Sequence, residues 1–395
     1  MPVLRLKPGR DKSLRQSHPW IFSGAVASVD AAPGPGDTVT VRSSDGAFIA
    51  RAAYSPASQI RARVWTFEPD TEIDAPFFAR RIARAVTDRA AMLDANHTGC
   101  RLIHGESDGL PGVVADRYAD TLVLQLSSAG AERWREAIVA GLVAATGADC
   151  VFERSDAEVR TLEGLAPRVG VAHGALPDPV TFTEDGLVYG VDVAAGQKTG
   201  FYLDQRANRA AVRGFAAGLE VLNVFCYTGG FTLAALAGGA TRVVSIDSSP
   251  GAIALARENV ARNPALPPER AEWCTADAFA ELRKLRDRAA SFDLIVLDPP
   301  KFAPTAAHAE RAARAYKDVN LLALKLLRPG GLLATFSCSG GIDAGFFRKI
   351  LAGAALDAGV DATVIGQFGA GADHPVALAF PEGDYLKGFL LRKPS

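Results

Sequence analysis

Four near-continuous apolar runs constrain the fold of this chain most: EVLNVF (220–225), RVVSID (242–247), FDLIVLD (292–298) and LLATFSC (332–338). Each is followed by a stretch at helical spacing, roughly 10–20 residues long. A strand apolar on both faces must be covered on both faces. Alternation with helices supplies that cover only in a parallel sheet. From about residue 194 onward the expected fold is therefore α/β, a doubly wound, mostly parallel sheet.

The first half reads differently. Residues 1–67 hold short alternating runs such as TVTVRS and FIARAAYS, punctuated by Gly-Pro-Gly-Asp and by Asp45-Gly46, which suggests a small β-barrel or half-barrel. Residues 74–93 predict one helix, with Pro76 at its start and Phe77, Ile82, Val86, Ala90 and Leu93 at helical spacing. Beyond it, TLVLQLSS, an amphipathic helix over 131–146, VFER, and a hairpin turning at Asp185-Gly186 describe an α+β unit. The expected division is 1–70, 71–190 with helix 74–93 as connector, and 191–395.

Composition removes several function classes. The chain has 395 residues, 48% hydrophobic and 22% charged, with a net charge of −1, which excludes a polybasic nucleic-acid binder as a whole. The charge is uneven, however. Residues 1–65 carry nine Lys/Arg against four acidic residues, which hints at an anionic partner for this part. No run of 18 apolar residues exists, and MPVLRLKPGRDK lacks the apolar core of a signal peptide, so neither membrane insertion nor secretion is expected. Five cysteines (Cys100, Cys150, Cys226, Cys274, Cys338), never in a CxxC pair, fit a reducing cytoplasm better than a disulfide framework. Six histidines (His18, His97, His104, His173, His308, His374) show no ligand spacing, so no metal is expected.

Ligands of an open parallel sheet bind beyond the carboxyl ends of its strands. The first run opens into Phe225-Cys226-Tyr227-Thr228-Gly229-Gly230, a turn that lets backbone approach a ligand, and the second ends in Asp247, placed to accept the hydroxyls of a ribose. The next segment ends in Thr275-Ala276-Asp277-Ala278. Asp298-Pro299-Pro300-Lys301-Phe302 ends the run after that; each proline locks φ, so the Asp298 carboxylate is held in direction, suited to the edge of a planar base. The last run ends in Ser337-Cys338-Ser339-Gly340-Gly341, with one helix (310–327) between. If those two strands are neighbours, their ends lie about 5 Å apart. A thiol and a carboxylate would then share one rim, and Cys338 would be the nucleophile rather than a core residue. Cys226, Cys100, Cys150 and Cys274 read as packing residues. Residues 195–206 (AGQKTGFYLDQR) fail as a Walker loop because Gln197 precedes Lys198. Asp204 reads as a helix N-cap, and the segment as closing the cofactor pocket.

These residues carry a resemblance. The C-terminal part resembles class I S-adenosylmethionine-dependent methyltransferases, and the whole chain is similar to the bacterial 23S rRNA (cytosine-5-)-methyltransferase family. The matching stretches are KTGFYLDQR, NVFCYTGGFTL, the Asp247 strand end, DPPKF and FSCSGG, with HPWIFSG of a PUA-like RNA-binding domain and GESDGLPG of a central α+β domain. The resemblance implies a Rossmann-like domain with a mixed seven-stranded sheet. It implies S-adenosylmethionine held by Thr199, Phe201, Arg206, Phe225, Tyr227, Thr228, Gly229, Asp247, Asp277, Ala278 and Asp298. It also implies catalysis by Cys338 and Asp298, and RNA contacts from Arg5, Lys7, Arg10, Lys12, Arg15 and Lys301. The partner it implies is 23S rRNA or a large-subunit assembly intermediate, with a homodimer as one option for the oligomeric state. Many RNA cytosine-C5 enzymes place a second cysteine directly after DPP; this chain has Lys301 there. Two other readings stay open: methyl transfer to another base atom such as guanine N7, which needs no thiol, and a non-catalytic RNA-binding assembly factor.

Overall fold

A computed structural model describes residues 1–303 and 309–395; His308 lies outside the described residues. The chain forms two compact units. The first comprises 1–186, 191–201 and 372–383; the second comprises 187–190, 202–371 and 384–395.

In the first unit, six strands, β1 (Val3–Leu6), β2 (Trp20–Phe22), β3 (Val26–Val29), β4 (Thr38–Arg42), β5 (Phe48–Tyr54) and β6 (Ile60–Thr66), pair in the order β2-β6-β5-β4-β1-β3. Alternation works as expected here: Val39 and Val41 of β4 are buried while Thr38, Thr40 and Arg42 between them are not. The same unit contains a second sheet, with β7 (Gly99–His104), β8 (Val113–Tyr118), β9 (Thr121–Leu126), β10 (Cys150–Ser155) and β11 (Arg168–Gly174) in the order β11-β10-β9-β8-β7. Ala53 and Trp65 of the first sheet share a core cluster with Phe77, Phe78, Leu102 and Leu124, so the N-terminal strands and the second sheet are one packed body.

The helix expected over 74–93 spans Ala75–Arg89 and tightens into a 3₁₀ turn over Ala90–Met92, with the Asp74 side chain accepting from Phe77 N at its start. The single helix expected over 131–146 is two, Ala129–Arg133 and Arg135–Thr146, broken at Trp134, whose indole packs on Phe78. Strands β12 (Val180–Glu184) and β13 (Leu187–Val191) flank the Asp185-Gly186 turn, where both residues adopt positive φ, 50° and 76°.

The second unit is built on a seven-stranded sheet: β14 (Glu220–Val224), β15 (Arg242–Asp247), β16 (Ala271–Thr275), β17 (Phe292–Leu297), β18 (Leu327–Ser337), β19 (Thr363–Gly369) and β20 (Lys387–Arg392). Its order is β16-β15-β14-β17-β18-β20-β19. The first five strands are parallel; β20 runs antiparallel between β18 and β19. This is the expected mixed, mostly parallel Rossmann-like sheet. The strand order reverses between β14 and β17, which puts a crevice beyond their carboxyl ends. Leu222, Val224, Ile295 and Leu297 are buried in the same core cluster as Val319 and Leu322 of the helix Ala309–Leu326 and Phe347 of the helix Ala344–Ala358. No helix among the described residues is long and apolar enough to cross a membrane.

Candidate active site

At the end of β14 the backbone takes an uncommon path. Phe225, Tyr227 and Gly229 all have positive φ, 64°, 47° and 83°, a conformation that side-chain-bearing residues adopt mainly where surrounding structure imposes it. Gly229 starts the helix Gly230–Ala237. A Cβ added there would lie 3.1 Å from Ala256 Cβ and 3.4 Å from both Leu233 Cδ1 and Trp273 Cη2. The glycine is thus demanded by its φ and by its protein neighbours.

The turn is pinned from β15. Asp247 Oδ2 accepts from Tyr227 N at 2.9 Å, and Oδ1 accepts from Ser249 N at 2.9 Å. Below it, Asn223 donates to Thr232, which shares a hydrogen bond with Ser245, a buried link from β14 through the helix to β15. The Thr228 hydroxyl is buried and has no hydrogen-bond partner among the described residues, while Asn259 holds the Thr228 carbonyl. Asp277 caps the helix Ala278–Asp287 through Ala280 N; it is exposed, and Ala278 is buried behind it.

The β17 and β18 ends meet as neighbours. Leu297 pairs with Thr335 in parallel register, so Asp298 leaves its strand one residue after Leu297 and Cys338 follows Thr335 by three. Both are half-buried. Asp298 N donates to Val224 O at 3.4 Å. Phe302, one residue after Lys301, packs its ring 4.9 Å from Tyr316 and 6.1 Å from Phe279; Lys301 itself is exposed.

Three neighbours of this rim escape sequence reasoning. Burial drives the Tyr202 phenol far above its ordinary pKa, and the negative groups of Asp298, Tyr227, Cys338 and Asp204 add to the shift. Burial likewise raises Tyr316; hydrogen bonds from Ser337 and Ser339 oppose that, and Cys338 and Asp298 add to it. Lys387 of β20 donates to Ser339 O (2.8 Å) and Ile342 O (2.6 Å). The place of Tyr202 in KTGFYLDQR is the one signal that could have found it. Tyr316 reads as one more apolar position of an amphipathic helix, and Lys387 as an ordinary lysine in LKGFLLR.

Other anticipated residues take different places. Asp204 is not the N-cap: it lies in the 3₁₀ turn Leu203–Gln205, where its Oδ2 accepts from Tyr385, and Gln205 precedes the helix Arg206–Phe215. The chain enters its helical path at Leu203, two residues before the position an Asp204 cap would set. Arg206 is half-buried at the start of that helix. Thr199 and Phe201 belong to the first unit, where Thr199 donates to Asp116 (2.5 Å) and Phe201 N donates to the Tyr118 hydroxyl (3.2 Å). Arg5, Lys7, Arg10, Lys12 and Arg15 are exposed, with Lys7 donating to Gly24 O and Arg15 paired with Asp11. Cys226 is buried, and burial pushes its thiol up, as expected of a packing residue.

Residues 174–356 match the model of an S-adenosylmethionine-dependent methyltransferase family, and residues 4–67 that of a PUA-like domain. Over 391 residues the chain is 50% identical to a ribosomal RNA large subunit methyltransferase I of Shewanella amazonensis, covering 98% of each chain. It is 50% identical over 388 residues to the protein of that name from Photobacterium profundum, covering 97% of each. The chain belongs to the ribosomal RNA large subunit methyltransferase I family. Its fold matches that of a methyltransferase structure from Streptococcus mutans with a TM-score of 0.86 at 21% identity over 99% of this chain and 100% of that one. A further methyltransferase, solved with S-adenosylhomocysteine, matches with a TM-score of 0.85 at 22% identity over the same shares.

Like the rest of its family, the chain is an S-adenosylmethionine-dependent methyltransferase. The residues present fit that cofactor. The Thr228 hydroxyl is an unspent buried polar group in the turn, and each Asp247 oxygen, already holding one backbone N–H, has a second lone pair for a hydroxyl. Among the described residues no group of three or more His, Cys, Asp or Glu gathers to hold a metal ion.

Proposed function

We propose that this chain forms 5-methylcytosine in large-subunit ribosomal RNA, using Cys338 as a covalent nucleophile. The observation that carries the reading is the parallel pairing of β17 with β18, which sets the Asp298 and Cys338 ends side by side. The curated relatives act on large-subunit ribosomal RNA by name, and we take the same substrate here, with the cytoplasm as the place of work.

C5 of cytosine is a poor nucleophile. The Cys338 thiolate adds to C6, its electron pair forming the S–C bond while the C5–C6 π electrons move into the ring, and C5 becomes enamine-like. Phe225–Gly229 and Asp247 would hold S-adenosylmethionine, which would supply an electrophilic methyl for C5 to take as the S–CH3 bond breaks and S-adenosylhomocysteine is left. Asp298, held extended by Pro299, bonds the N3/N4 edge and stabilises the electron-rich ring. Loss of the C5 proton to a base then expels Cys338 and restores the ring. The cytosine must be unpaired or flipped to reach the rim. The basic segment with Arg5, Lys7, Arg10, Lys12 and Arg15, together with Lys301 at the rim, supplies phosphate contacts. In this reading the chain works as three modules, 1–70 for RNA, 71–190 as the central part and 191–395 for methyl transfer.

Nucleoside analysis of large-subunit rRNA from a strain lacking the protein tests the product. One 5-methylcytosine should vanish and return on complementation. Loss of a methylguanosine instead would replace this reading with direct transfer to a ring nitrogen.

A further inference from the structure

Lys387 is buried at 9% exposure, yet among the described residues it has no ion-pair partner. Taking an ammonium out of water is costly unless a counter-charge offsets it. Lys387 spends two donors on the carbonyls of Ser339 and Ile342. Both belong to the loop that begins with Cys338. A bland explanation exists for the superficially similar Lys393, whose amine binds the carbonyls of Leu324 and Leu327 where the helix Ala309–Leu326 ends, a favourable place for any cation. Lys387 sits at no helix C-terminus; Ile342 instead directly precedes Asp343, the N-cap of the helix Ala344–Ala358. Lys387 lies directly opposite Ser337 in the antiparallel pairing of β18 with β20, one residue before the thiol.

The same loop is tied to the Asp298 side. Ser339 is fully buried; its hydroxyl accepts from Ala303 N (3.0 Å) and shares a hydrogen bond with the Tyr316 hydroxyl (2.9 Å). Ala303 closes the Asp298-Pro-Pro-Lys-Phe segment. Ser339 therefore joins both halves of the rim, and Lys387 clamps its carbonyl.

We propose that Lys387 is a positioning residue for Cys338, a fixed buried cation whose missing counter-ion is the Cys338 thiolate. The proposal rests on the reading of Cys338 as nucleophile and deepens it. Charged and titratable groups at this rim are Lys387 from β20, Asp298 from the end of β17, Tyr202 from the turn before Arg206, and Tyr316 from the helix Ala309–Leu326. The exposed carboxylates of Asp384 and Asp343 also favour the Lys387 ammonium, less than Cys338 does, and the exposed Lys301 opposes it; neither carboxylate is within ion-pair distance of Lys387. Asp298 opposes ionisation of the thiol, so a nucleophile beside that carboxylate needs a compensating charge. Burial lowers the Lys387 amine below its ordinary range, and Cys338 acts against that lowering. The coupling is reciprocal: the group that favours the ammonium is itself favoured by it.

The test is the pH dependence of iodoacetamide alkylation at Cys338 in the full-length protein without RNA, read by mass spectrometry of the Cys338 peptide. The thiolate alone reacts. Wild type should ionise below an ordinary thiol. Lys387→Met should move the midpoint up by about one pH unit, about ten-fold slower alkylation at neutral pH. Lys387→Gln removes the charge but keeps a donor, and carries the test if the methionine variant does not fold. Lys387→Arg, which keeps the charge, should stay near wild type. Tyr316→Phe should slow methyl transfer without moving the alkylation midpoint, because it loosens the Ser339 link and leaves the cation. Superimposable profiles for wild type and Lys387→Gln overturn the proposal, as does an equal shift in Lys387→Arg. These profiles need no substrate. Wild-type turnover by Cys338→Ala would instead sink the nucleophile reading, so the two failures are distinguishable.

Discussion

The backbone N–H of Tyr227 donates to Asp247 Oδ2 at 2.9 Å, so the carboxylate ending β15 shapes the turn ending β14. Asp247 therefore has two duties, holding that turn and offering its remaining lone pairs to a ligand. Asp247→Ala should weaken S-adenosylmethionine binding by about 1–3 kcal/mol, the usual consequence of leaving polar partners unpaired. Calorimetric titration checks it; an unchanged Kd would remove Asp247 from the cofactor site.

Gly229→Ala should destabilise the second unit. A Cβ at φ 83° is strained by about 1–2 kcal/mol, and here it also meets Ala256 at 3.1 Å. Thermal unfolding should show a lower Tm, with weaker cofactor binding alongside. A Tm equal to wild type would show that the turn tolerates a side chain.

The basic N-terminal residues are exposed, so they can be neutralised without disturbing the core. Changing Arg5, Lys7, Arg10 and Lys12 together to Gln should weaken RNA binding and flatten its salt dependence, by about 0.7 in the log–log slope for each phosphate that is no longer neutralised. Fluorescence titration over a series of salt concentrations measures both. An unaltered slope would place the RNA elsewhere. Deleting 1–67 is a poorer experiment, because Trp65 and Ala53 belong to a core shared with Phe77 and Leu124.

Glu163 tests the first unit. It is buried, pairs with Arg63 at 2.7 Å, and accepts from Ser55 Oγ and Ala129 N. Burial pushes its carboxyl up, but Arg63 and the serine hydrogen bonds prevail and hold it below its ordinary 4.5. A depressed folded-state pKa means that this stabilisation is fully present above pH 4.5 and lost as pH falls through the depressed value. Glu163→Ala, which leaves the buried Arg63 only its longer 3.8 Å pairing with Glu106, should cost about 3 kcal/mol at neutral pH. Chemical denaturation at pH 7 and in acid checks both size and direction; a variant as stable as wild type at pH 7 would contradict it.

The second-unit sheet was legible because its strands are apolar on both faces, so their ends, and with them Asp247, Asp298 and Cys338, could be read directly. What each end touches was not legible. That Gly229 also packs, its missing Cβ facing Ala256 and Trp273, could not be read from the turn. Asp204 looked like a cap and is a partner of Tyr385, 181 residues away in sequence. The break at Trp134 left no mark in the periodicity because both helices bury small or apolar residues, Ala129 and Ala131 before it and Ile138, Val139 and Leu142 after it. Lys387 was invisible for a plainer reason: its direct partners are backbone carbonyls, and a carbonyl carries no residue signature.

The central claim is covalent catalysis by Cys338, and one measurement addresses it most directly: trapping with target RNA that carries 5-fluorocytosine, in the presence of S-adenosylmethionine. After methylation C5 holds fluorine where a proton should leave, so the thiol cannot be expelled and the adduct persists. Wild-type protein should form an RNA-linked species that survives denaturing electrophoresis, with the crosslink mapping to Cys338, and Cys338→Ala should form none. Absence of any adduct with wild type, together with wild-type methylation by Cys338→Ala, would contradict the account and make Cys338 a packing residue.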